Sequence, residues 1–125
     1  VIASLSKLFL AIGAIAGGVS VALGAFAAHG LQSRVTPERL ATFQTGARYQ
    51  MYHALALLVV GWLYSVKPCW QASLAGWLFC GGILVFSGSL YLLVLTDTRV
   101  LGAITPLGGL CFIAGWGMLA WAALR

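Results

Sequence analysis

This sequence is short of charge. Lys, Arg, Asp and Glu make up only 7% of its 125 residues, where soluble domains carry about 25%. So few charges cannot coat a water-facing surface, which excludes an ordinary soluble globule. Acid is scarcer still: Glu38 and Asp97 are the two carboxylates. Neither lies within an apolar run, so an ion-coupled transporter would lack its usual ion ligand. The seven basic residues stand singly, without clustering or aromatic interleaving. That excludes nucleic acid as a partner and suits interfacial anchors of membrane spans. Cys69, Cys80 and Cys111 have no metal-ligand spacing, and their odd number argues against a disulfide framework. No metal and no cofactor are expected. The chain lacks GxSxG, a P-loop, GxGxxG and HExxH, and Ser87-Gly88-Ser89 has no base nearby in sequence. No catalytic residue is assigned and no enzymatic activity is expected.

What the chain has in abundance is uninterrupted apolar length. Hydrophobic residues are 62% of the sequence, and the stretches 8–33, 49–66, 68–96 and 100–124 carry no charge. Each is long enough for the roughly 20 helical residues that cross a ~30 Å hydrocarbon core. The expectation is one all-α integral membrane domain over residues 1–125, a four-helix bundle running up-down-up-down. Its spans cover about 5–28, 47–66, 70–95 and 106–124. Lys7, the apolar run after it and Ala25-Phe26-Ala27 resemble a signal peptide, but the run exceeds an h-region of about 7–15 residues. It is read as a retained span.

Within the first span Gly13, Gly17, Ser20, Gly24 and Ala27 recur every three or four residues and share one face. Lipid tails give helices no hydrophobic reason to associate, so a smooth small-residue face that admits a neighbouring backbone becomes the means of packing. Gly88, Gly108 and Gly115 are the corresponding packing positions in spans three and four. Thr36-Pro37-Glu38 carries an N-cap, a proline at N1 and an acid in the first turn. It predicts a short amphipathic helix over about 37–45, lying in the interface, with Gly46 as the hinge into span two. Arg48 is then expected at the headgroups. Thr105-Pro106 repeats the cap signal before span four.

An up-down-up-down order gathers the end of span one, the start of two, the end of three and the start of four at one membrane face. His29, Tyr49, Gln50, His53, Ser87, Ser89, Tyr91, Asp97 and Thr105 therefore form a predicted polar cluster there. Tyr49 and His53 are an i, i+4 pair, and His53 is expected close to His29 with hydroxyl partners. Trp62, Tyr64, Trp70 and Trp121, with Lys7, Lys67 and Arg125, form the belt of the opposite face. Two readings of the cluster follow. In one it ties helix ends together in a structural or accessory protein that packs with itself or with a larger membrane complex. In the other it binds or transports a small molecule or lipid.

Several motifs resemble one family. They are Leu23-Gly24-Ala25-Phe26…Ala28-His29, Thr45-Gly46…Tyr49-Gln50…His53-Ala54-Leu55-Ala56, Phe86-Ser87-Gly88-Ser89-Leu90-Tyr91 and Thr105-Pro106-Leu107-Gly108-Gly109…Ala114-Gly115-Trp116. In this order they resemble the YgdD/YwdK-like family, small bacterial inner-membrane proteins classed as a domain of unknown function (number 423), with mitochondrial relatives. The resemblance implies four membrane helices in a bacterial inner membrane, with membrane lipid as the surrounding partner, and carries over no catalytic residue.

Overall fold

The computed structural model describes residues 2–125, and every element in them is helical. Helix α1 (Ile2–Phe26) runs into a π-helical turn, Ala27–Leu31; α2 covers Pro37–Val66. Helix α3 (Trp70–Gly82), a second π turn (Ile83–Ser87) and α4 (Gly88–Thr96) follow end to end. A 3-10 turn (Arg99–Ala103) then leads into α5 (Thr105–Leu124). Three stretches are long and apolar enough to cross a membrane: Ala3–Leu31, Trp70–Thr96 and Arg99–Leu124. Helix α2 is the longest single α-helix, at 30 residues, yet the polar residues of its first half keep it out of that group.

Helices packed side by side run antiparallel, with α3 and α4 acting as one continuous segment. Along α1 and α2, Ser6 pairs with Gly61, Ala16 with Gln50 and Ser20 with Ala47. Ser87 reaches Gly46 while Arg39 reaches Val94, so α2 runs opposite to α4 and the turn before it. Ser89 meets Thr105 at one end of the last pair and Gln71 meets Arg125 at the other. Helix α2 is central: it packs against α1 on one side and α3 and α4 on another, and touches α5 only sparsely. Its buried residues run its whole length, from Phe43 through Ala54 and Val60 to Leu63.

Two sequence expectations change here. No hinge interrupts α2 at Gly46; the amphipathic segment 37–45 is the first third of one continuous helix. Gly46 is buried because Tyr91 lies where its side chain would be, with Cε1 2.9 Å from an ideal Cβ position. The glycine admits a neighbour and does not bend the chain. Thr36 does cap α2, accepting from the Arg39 amide at 3.2 Å. Thr105 caps nothing: it is already helical, and its hydroxyl bonds Ser89 at 2.6 Å and donates to the Leu101 carbonyl at 3.2 Å.

The small-residue positions divide unevenly. A Cβ on Gly13 would stand 2.8 Å from the Ala54 carbonyl oxygen, one on Gly115 would stand 2.7 Å from a Phe79 ring carbon, and one on Gly108 would stand 2.7 Å from the Phe86 Cα. Those are backbone or ring approaches that only glycine permits. Gly17 has ordinary contacts, with the Ala54 Cβ at 3.8 Å. Gly24 and Gly88 face open space, with nothing within 4 Å. Periodicity put them on a packed face, but around Gly24 the contact with α2 is carried by Ser20, Leu23 and Ala27 while Gly24 falls beside it, and the π turn before Gly88 rotates it away from α5. Gly61, Gly76 and Gly82 make close approaches instead, to Leu10, Phe9 and Phe112.

Candidate functional site

Helix α2 carries two polar side chains one turn apart, Gln50 and His53, both buried. They are the polar groups around which the rest assemble. Gln50 bridges outward at both ends: its amide donates to the Ala16 carbonyl at 2.8 Å, and its oxygen accepts from the Tyr91 hydroxyl at 2.7 Å. It thus joins α1, α2 and α4. Flanking it, Ser20 donates to the Ala47 carbonyl at 2.6 Å and Ser87 to the Gly46 carbonyl at 2.7 Å. The π turn Ile83–Ser87 shifts the helical register, which brings Ser87 to α2 while Phe86 faces α5.

His53 faces the other way, toward α5. Its Nδ1 lies 2.6 Å from the Tyr49 carbonyl oxygen, which can only accept, so Nδ1 carries the proton. The remaining nitrogen, Nε2, accepts from the Trp116 indole N–H at 3.0 Å. The imidazole is thereby fixed as one neutral tautomer with both nitrogens engaged. Phe112 stacks flat on it, ring centroids 3.5 Å apart and 6° from parallel. Phe79 and Trp116 close further edges.

Because α2 and α5 barely touch, a lateral cleft of about 670 Å³ opens between them. His53, Phe86, Phe112 and Trp116 line it, with Tyr49 and Tyr52 along α2. Tyr49 packs on Phe86 at 4.9 Å between centroids, and neither tyrosine hydroxyl takes a hydrogen bond among the described residues. The walls are aromatic and aliphatic, the His53 nitrogens and the Trp116 indole are already paired, and the two tyrosine hydroxyls are the polar groups left free among the described residues. Such a cleft suits an apolar guest.

The predicted cluster is therefore three separate places. Gln50, Tyr91 and Ser87 stitch the interior; Ser89 and Thr105 tie α4 to α5; His53 and Tyr49 belong to the cleft. His29 joins none of them. It is exposed in the π turn after α1, without a hydrogen bond among the described residues. The antiparallel register puts His29, nine residues beyond Ser20, level with the start of α2. His53 lies about 20 Å further along the axis at 1.5 Å per residue. Tyr49 serves His53 through its backbone carbonyl and through its ring, which lies 22° from parallel to the imidazole with centroids 6.3 Å apart.

The expectation that polar chemistry collects at one membrane face also changes. Gln50 and His53 sit at the midpoint of α2. Ser6, bonded to the Gly61 carbonyl at 2.6 Å, and Gln71, accepting from Arg125 at 3.0 Å, lie toward the opposite end. At the near end Arg39 donates to the Val94 carbonyl, and its Nε lies 4.0 Å from Asp97, which occupies a left-handed turn. Sequence reasoning missed Trp116 as the partner of His53. One signal was available: a tryptophan in the middle of an apolar run, away from the interfacial belt, still needs an acceptor for its N–H.

Long apolar helices, backbone-to-glycine packing and polar side chains spent on helix-to-helix bonds define a small helical membrane protein. The chain belongs to the family described as "Protein of unknown function (DUF423)", whose model matches residues 23–109. It is 47% identical over 120 residues to the UPF0382 membrane protein YwdK of Bacillus subtilis (strain 168), covering 95% of this chain and 98% of that one. To the UPF0382 membrane protein SAB0533 of Staphylococcus aureus (strain bovine RF122 / ET3-1) it is 48% identical over 119 residues, 95% of this chain and 97% of the relative. No solved structure matches it.

Proposed function

We propose that the protein is a four-span, up-down-up-down bundle of a bacterial inner membrane, without enzymatic activity, serving as an accessory that packs with itself or with a larger membrane complex. The observation that carries the accessory role is the use of its polar side chains. Ser6, Ser20, Gln50, His53 and Ser87 are all committed to bonds with helix backbones or side chains inside the bundle. Each such bond contributes about 0.6 kcal/mol on average within a membrane. Together they make a scaffold rather than a set of free catalytic groups.

The fourth span is α2. Its average hydropathy is lowered by Gln50 and His53, which point inward, while Tyr52, Leu55, Val59, Trp62 and Val66 form its exposed side. At about 45 Å it matches the length of its neighbours. Cysteine substitutions at residues 33 and 98, in a background lacking Cys69, Cys80 and Cys111, should label from one compartment, and residue 67 from the other. Labelling of 33 and 98 from opposite compartments would sink the arrangement. Cross-linking in intact membranes should capture either a second copy or a constant set of membrane partners; a protein that runs as a monomer, with neither, would refute the accessory role.

A second reading, binding of a lipid or small apolar molecule, is favoured by the cleft between α2 and α5. Under that reading His53→Ala leaves the fold nearly intact and removes a co-purifying apolar molecule. Under the accessory reading it lowers the melting temperature whether or not lipid is added.

A further inference from the structure

We infer that a second groove, between α1 and the first half of α2, binds the phosphate of an anionic phospholipid through Arg48 and Gln44. The inference rests on α2 standing upright in the membrane, as the four-span reading has it. An interfacial segment hinged at Gly46 would have left Arg48 among the headgroups. In the continuous helix it is eleven residues from Pro37, about 16 Å along the axis. A helix of about 45 Å centred on a ~30 Å hydrocarbon core puts that Cα roughly 9 Å inside the boundary. A cation at that depth needs a partner. Arg48 has none: it is exposed, with no hydrogen bond or ion pair among the described residues.

Its surroundings fit a descending headgroup. Side chains on a helix lean toward its N-terminus, which for Arg48 is the nearer membrane face. Gln44, one turn closer to that face and also without a side-chain partner among the described residues, lines the same groove. Across from Gln44 by the Ser20–Ala47 register stands Gly24, whose missing side chain leaves a notch with nothing within 4 Å. Val21 and Met51 add apolar wall, and the groove holds about 390 Å³. A guanidinium fork matches two phosphate oxygens. No carboxylate lines the groove to receive the ammonium of a zwitterionic headgroup, so charge complementarity selects a lipid whose phosphate is its net charge.

The test places wild type, Arg48→Gln, Arg48→Lys and Gly24→Leu in nanodiscs of equal phosphatidylglycerol and phosphatidylcholine. Lipids retained after transfer to mild detergent are then counted by native mass spectrometry. Wild type should favour phosphatidylglycerol about fivefold over Arg48→Gln, the factor expected of one basic residue near an anionic surface. Arg48→Lys should keep part of the preference. Gly24→Leu should lose it with Arg48 in place and thermal melting unchanged, and decides the matter if Arg48→Gln does not fold. Millimolar inorganic phosphate should leave the lipid bound. Equal retention of both lipids by wild type and Arg48→Gln would overturn the site, as would displacement by inorganic phosphate. Loss of a co-purifying protein from Arg48→Gln with lipid unchanged would assign Arg48 to a partner helix instead. Single cysteines at 38 and 48 should label readily and poorly from water; equal labelling would remove the upright placement of α2 itself, a failure separate from lost lipid selectivity.

Discussion

Helix α2 has a closed side and an open side, and its two buried polar residues belong one to each. Gln50 is enclosed between α1 and α4, with its amide spent in both directions. His53, three residues on, crosses to α5 where the helices stand apart, and its ring is held by one indole and one phenyl at the back of a cleft. The closed side has backbone-to-glycine contact at Gly13, where a neighbour's carbonyl replaces a side chain. On the open side aromatic rings fill part of the gap and leave the rest. Where small residues let backbones meet, polar groups become internal ties. Where large rings hold helices apart, the same kind of group ends up lining a surface that a guest can reach.

The sharpest way to break this contrast is Gly13→Leu. The side chain would collide with the Ala54 carbonyl, the Leu57 Cβ and Leu58, and overpacking of this kind costs typically 1–3 kcal/mol and sometimes more. We expect loss of the folded species in detergent melting, whereas Gly88→Leu, in open space, should melt as wild type does. Gln50→Leu should come next, destabilising by about 1–3 kcal/mol because the Tyr91 hydroxyl and Ala16 carbonyl lose their partner. Adding Tyr91→Phe should recover part of that loss by removing one orphaned group. A double mutant as unstable as Gln50→Leu alone would show that the network is not the source of the cost.

On the open side the effects should be smaller. Trp116→Phe removes one bond to His53 and should lower stability by about 0.6 kcal/mol, measured by thermal unfolding in detergent. A drop equal to that of Gln50→Leu would erase the distinction between the two sides. Tyr49→Phe should change stability least, within about 0.5 kcal/mol, since its hydroxyl has no partner among the described residues. If the cleft holds an apolar guest, replacing Ile113 by Trp should lower retention of that guest while leaving the melt unchanged.

Much of the molecule was legible in advance where a residue's role depends on its own segment. Thr36 and Pro37 start α2 because capping is settled within one turn. Gly108 and Gly115 are packing positions because a bilayer rewards close backbone approach wherever small residues face a neighbour. Other positions depend on where the neighbouring helix goes. Gly24 has the right spacing for the packed face of α1, but Leu23 and Ala27 make the contact with Phe43 there and Gly24 falls beside it. His29 and His53 were expected together because the end of span one and the start of span two meet at one face, and the unbroken α2 separates them by several turns. The π turns were invisible in the residue pattern, yet the one before Gly88 decides that Ser87 meets α2 and that Gly88 meets nothing.

The sequence by itself determined the solvent, the helical class and the lengths of the apolar helices. These follow from charge content and uninterrupted hydrophobic runs, which act locally and additively along the chain. Only the tertiary structure decided that Gln50 is sealed in, that His53 holds Trp116 and that Arg48 stands beside an open groove. Each of those depends on the distance between helices remote in sequence. That distance is set jointly by side chains on both partners, so no single segment encodes it.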